Sequence, residues 1–225
     1  MRRIVAAAAD IKSRTSKRVF RKSRFESTVA RMTDEQERPR LVDDVGTLRA
    51  LAHPVRLALI EQLTLRGPLT ATEASELVGE SPSSCSFHLR QLAKHGFVEE
   101  TGEGTGRRRP WRMTRLGLSL DPDEGDPATR RAGAEVARLL RSAQLARYDR
   151  WRATRATWAE DWRRASIDDE YLYWLTAEEL DALHEELAER LLAFRRERLA
   201  DPGARPAGAV PVELLLFAYP MEEER

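Results

Sequence analysis

Between residues 81 and 119 the sequence sets hydroxyl, amide and cationic side chains at intervals that suit contact with a polyanion. Ser83, Ser84 and Ser86 open an amphipathic stretch, Phe87 follows, and Arg90, Gln91 and Lys94 come further along it. A serine hydroxyl donates and accepts, and an aromatic edge packs on a thymine methyl, so the first four suit base edges in a major groove. Arg90, Gln91 and Lys94 suit phosphate oxygens, which fix register without reading sequence. Arg107, Arg108 and Arg109 add three adjacent cations after a glycine-rich run, and residues 81–119 carry a net charge of +4. Two blander uses stand beside these. Serines cap helices, a role assigned mainly to Ser81, and a run of arginines can be no more than a solvated loop.

Other reactive side chains are sparse. Cys85 is the sole cysteine, which excludes an intramolecular disulfide and fits a reducing compartment. It falls on the apolar side of its stretch, so it reads as a packed thiol rather than a redox sensor. His88 lies beside that side and reads as a neutral histidine wedged between helices, while His95 suits a helix C-terminus. The chain has four histidines, and His184 is the last of them, so soft-metal sensing and metal cofactors are not expected. No phosphate-cradling GxxxxGK[ST], GxSxG elbow or HExxH occurs, which argues against an enzyme. No run of 18 apolar residues occurs, so neither a membrane partner nor a membrane span is expected and the cytoplasm is the expected location.

Local signals divide the region holding these residues into short elements. Val45, Leu48, Leu51 and Ala52 recur at helical spacing, and Pro54 suits the first turn of a second helix ended by Gly67-Pro68. Thr70 with Glu73 forms a capping-box pattern for a third helix running to about Val78. A turn through Gly79 leads to a fourth helix, with Cys85, Leu89 and Leu92 as its apolar stripe and an end near Gly96. Phe97 to Thr101 and Trp111 to Met113 read as a hairpin whose tip holds the glycines and arginines, a wing.

Leu51-Ala52-His53-Pro54-Val55-Arg56-Leu57 resembles the opening of ArsR-type winged helix-turn-helix regulators. Ser83 to Leu92, followed by Gly96-Phe97-Val98, resembles that family's recognition helix and its exit into the wing. The likeness covers residues 41–119 and implies a homodimer that binds a near-palindromic operator on double-stranded DNA, with a small molecule as a further candidate partner. The expected function is therefore a sequence-specific transcriptional regulator, a repressor by preference. The alternative is a winged-helix interaction module or ligand sensor without strong DNA binding.

The expected fold is mainly α with a small β-hairpin, in three parts. Residues 1–40 read as a disordered basic segment, 41–119 as the winged helix-turn-helix domain, and 120–225 as a helical dimerisation or effector region. Residues 1–31 carry a net +8, and lysine gives way to arginine at Met32. That segment is either a phosphate-gripping arm or a stretch upstream of the native start. A long amphipathic helix is expected from Pro127 to Ala165, bearing Trp151, Trp158 and Trp162. Glu170 to Leu175 and Pro211 to Pro220 have strand character, and a two-stranded C-terminal sheet is expected across a helix capped by Thr176. The tryptophans of residues 151–174 read first as a dimer core and second as an effector pocket.

Overall fold

Short helices between strong stop signals build the first half of this computed structural model, which describes residues 40–102, 109–115, 118–120, 125–199 and 205–221. Helix α1 (Val45–Leu51) begins at Asp44, whose carboxylate accepts the Thr47 N–H at 2.8 Å. Helix α2 (Pro54–Arg66) has proline in its first turn, where a missing N–H breaks no helical bond, and ends at Gly67 with φ 86°. Helix α3 (Ala71–Val78) carries a complete capping box: Thr70 accepts the Glu73 N–H at 3.2 Å and Glu73 accepts the Thr70 N–H at 2.8 Å. Ser81 caps helix α4 (Pro82–Lys94) by accepting the Ser84 N–H at 3.1 Å. These four elements are the ones that the sequence expects.

Two small ladders frame them. Strand β1 (Arg40–Val42) is followed after α4 by β2 (Val98–Glu100), β3 (Trp111–Met113) and β4 (Leu118–Leu120). β2 and β3 pair antiparallel, with Glu99 opposite Arg112, and form the expected hairpin. Trp111 exchanges both backbone bonds with Leu69, at 2.8 and 3.0 Å, which ties the hairpin to the α2–α3 connection. β1 and β4 pair parallel, a ladder that no local pattern announces. Arg40, assigned by sequence to the segment 1–40, is therefore part of a strand, and residues 1–39 lie outside the described residues.

The core lies where α1, α2 and α4 meet, around the fully buried Leu51, Leu59, Leu89, Leu92 and Phe97. Helix α5 (Pro127–Thr154) adds to it from beyond the hairpin. Asp126 caps α5 by accepting the Ala128 and Thr129 N–H groups, both at 2.8 Å. Ala132 and Val136 then pack into the same cluster, and α5 lies chiefly against α1. Further along α5 Leu145 is exposed.

The second half departs from expectation in two places. The helix expected over Pro127–Ala165 stops at Thr154, passes through a 3₁₀ turn (Arg155–Thr157) and resumes as α6 (Glu160–Ala165). Trp158 is extended at the break, so it no longer shares a helical stripe with Trp151. Arginines satisfy the carbonyls that the break releases: Arg163 donates to Ala156 and Trp158, and Arg155 donates to Arg163. The expected C-terminal sheet is also absent among the described residues, for neither 170–175 nor 211–220 carries ladder bonds. The second segment is held along α5 instead. Arg147 donates to Glu213 at 3.0 Å, and Arg141 stacks over Phe217 at 4.0 Å. Between them runs helix α7 (Ala177–Leu199), capped by Thr176 and Glu179 as the sequence indicates.

The joining of α5 to the core is testable at Leu48, 2% exposed on α1. Leu48→Ala removes its buried methyls and leaves a cavity, and is expected to destabilise the fold by about 2–5 kcal/mol. A chemical denaturation curve displaced by less than about 1 kcal/mol would show that this contact does not hold the two halves together.

Candidate nucleic-acid interface

Helix α4 separates its two roles by angle. Cys85, Leu89 and Leu92 are fully buried, and the opposite side carries Ser83, Phe87, Arg90 and Lys94, all exposed. These four recur at intervals of four, three and four residues, which places them on one stripe of an α-helix. Ser84, Ser86 and Gln91 flank that stripe and are partly buried. All seven residues picked from the sequence on this helix thus lie on or beside one outward face. Phe87 is the large apolar member, 51% exposed, and its ring meets His88 edge-on at 5.2 Å.

The serines are already oriented. Ser81 Oγ accepts the Ser84 N–H and lies 3.0 Å from Ser83 Oγ, so the cap and the first groove residue share one hydroxyl pair. Arg90 donates to Ser86 Oγ at 3.0 Å across one helical turn. Ser86 Oγ is the acceptor in that bond, so its O–H remains a donor.

Two of the hairpin's arginines are already paired with its own glutamates. Arg112 pairs with Glu99 at 2.8 Å and Arg109 with Glu100 at 3.1 Å, both across the two strands. Exposed pairs of this kind contribute little stability, but they set where each guanidinium lies. Arg109 is exposed near the described end of the hairpin, and Arg107 and Arg108 lie outside the described residues. Sequence reasoning passed over a second basic place, an open groove lined by Arg40, Gly96, Thr114 and Arg115 at the end of α4. Arg40 donates to the His95 carbonyl there and stacks over Phe97 at 4.3 Å. Burial and the nearby Arg115 charge lower its pKa. No local signal marks Arg40, because the ladder that places it is formed with β4.

Behind the outward face sits a histidine pair, His88 buried and His53 half-buried. His88 is 8% exposed, and its ring lies 4.4 Å from that of His53, which caps α2 by accepting the Val55 N–H at 3.2 Å. Burial lowers the pKa of both, and for His88 the His53 and Arg56 charges lower it further while Glu80 opposes them. His88 is thus a histidine packed between helices, as its sequence position suggests. Burial also raises the Cys85 thiol, with Glu80 adding to the effect, so the sulfur stays protonated and inert at neutral pH.

A family model described as a helix-turn-helix domain matches residues 51–101. The match runs from the end of α1 through α2, α3, α4 and β2, so it covers the outward stripe of α4. No curated protein matches the chain.

The histidine pair makes stability depend on pH. Both imidazoles bind protons less readily folded than unfolded, where the ordinary value is 6.5. Stability is therefore complete above that value and is lost as pH falls through about 6.5 toward the lowered folded values. Denaturation midpoints between pH 8 and pH 5 should fall on the acid side. His88→Gln should flatten that slope, and an unchanged slope would remove the pair as its source.

Proposed function

We propose that this chain is a sequence-specific DNA-binding transcriptional regulator of the ArsR type, acting as a homodimeric repressor in the cytoplasm. The observation that carries the reading is the stripe of Ser83, Phe87, Arg90 and Lys94 on a helix whose opposite side is fully buried. A helix held in this way can enter a major groove without losing its seat on the domain. Ser83, Ser84, Ser86 and Phe87 read base edges; Arg90, Gln91 and Lys94 meet phosphates. Arg107, Arg108 and Arg109 reach the backbone or minor groove beside them. Glu99 and Glu100 leave part of the hairpin's charge neutralised, so specificity rests on the helix more than on the wing.

Two domains of this kind related by a two-fold axis place their recognition helices about 34 Å apart, one turn of DNA. Residues 41–119 form the DNA-binding domain, and residues 120–225 hold the dimer together and receive the signal. A small molecule suits that signal better than a soft metal, because the sole thiol is buried in α4. Repression follows from occupying an operator and needs no further surface.

The reading is tested by the salt and sequence dependence of binding. Affinity for a selected operator should fall steeply between about 50 and 200 mM salt, and Lys94→Ala, which removes one contact from each subunit, should reduce the log–log slope by about 1.8. Ser86→Ala and Phe87→Ala should each lower discrimination between operator and random DNA by about 1–3 kcal/mol. Equal losses on both DNAs would remove these residues as readers, and affinity insensitive to salt would remove the interface.

A further inference from the structure

Helix α7 makes no extensive contact with any other helix or strand among the described residues. In proteins most helical stability comes from packing an apolar face rather than from propensity, and this holds for the 23 residues of α7 too. That face exists. Leu180, Leu183, Leu187, Leu191 and Phe194 fall within an arc of about 80° on a helix turning 100° per residue. The last four are 38%, 40%, 38% and 65% exposed in order.

The spacing of this stripe is its own mirror image. Steps of three, four, four and three residues make it symmetric about Leu187. A second copy laid antiparallel, with the two-fold axis at Leu187, sets Leu180 against Phe194 and Leu183 against Leu191. The charges distinguish this arrangement from a parallel one. Residues 177–189 hold six acidic residues and no basic one, whereas 190–198 hold four arginines and Glu197. Parallel helices would bring acidic half to acidic half. Antiparallel helices bring acidic half to basic half, and they place Glu186 near Arg190 of the other copy on the same flank. Glu185 and Glu189 lie about 160° from the stripe on a helix turning 100° per residue, on the outer side of such a pair, and do not oppose it.

We propose that α7 is the dimerisation seam, an antiparallel pair with α7 of a second copy crossing at Leu187. The seam rests on the homodimer proposed above and assigns its interface to a helix other than α5.

Cysteine cross-linking of the full chain reads the orientation directly. Cys85 is fully buried, so the engineered thiols are the reactive ones. Leu180→Cys and Phe194→Cys are prepared separately, oxidised alone, then mixed and oxidised together. The fourteen helical steps from one position to the other span about 21 Å, beyond the reach of a disulfide. The antiparallel seam requires a covalent dimer in the mixture and little in either sample alone. Self-linking of each variant alone would overturn it in favour of a parallel pair, and an absence of linking in all three would overturn it altogether. Leu187→Asp, which buries two carboxylates at the axis, should convert the dimer into a monomer by sedimentation with α1–α5 still folded. A wild-type chain that is dimeric and stays dimeric with Leu187→Asp would remove the seam alone. A wild-type monomer would remove the dimer as well.

Discussion

A helix that offers a polar face to a polyanion can be held only by its other face, and in this chain the hold is the burial of Cys85, Leu89 and Leu92. The rest of the first half follows from it. Helices α1 and α2 supply the apolar surface, Phe97 closes the end of that surface, and Trp111 ties the hairpin to the α2–α3 connection. Ala132 and Val136 extend the same cluster into α5, so the region after the hairpin is joined to the seat of the recognition helix. Interiors are packed as densely as organic crystals, and a displacement of α5 cannot be absorbed there without moving its neighbours. That gives the second half a mechanical route to α4.

Charge adds a second constraint. Arg109 and Arg112 oppose the hairpin's own Glu100 and Glu99, and Arg40 is drawn inward onto Phe97 and the His95 carbonyl. What remains outward on α4 is one arginine and one lysine beside a serine and a phenylalanine. In the proposed regulator such a face would offer little charge to a polyanion by itself, and two linked copies would raise each other's effective concentration. In that reading dimerisation is a condition of tight binding rather than an addition to it.

How far the sequence could be read depended on the range of the interactions. Caps, first-turn prolines and stop glycines act within four residues, so Asp126, Pro54, Thr70, Gly79 and Ser81 mark their helices without help from the fold. The alternation of α4 between buried and outward residues was legible for the same reason. The break after Thr154 was not, because its stability comes from guanidinium groups reaching back to carbonyls five to eight residues away. Neither were the β1–β4 ladder and the seat of Arg40, which join residues more than 50 apart in sequence. The segment 211–220 is an apolar run of strand character, but Glu213 and Phe217 find arginines on α5, and nothing within the segment announces them. The histidine pair lies between these extremes, its members on neighbouring helices and each unremarkable alone.

The single thiol at the centre of the recognition helix has one more consequence. Cys85 has no exposed surface in the folded chain, so a soluble alkylating reagent can reach it only while α4 is lifted from the core. Its rate of labelling therefore measures how often the helix leaves its seat, in a native chain with no added probe. In the proposed regulator a chain holding DNA would keep that helix docked, whereas a chain released by a signal need not. The sulfur is in effect a clock for the opening of α4.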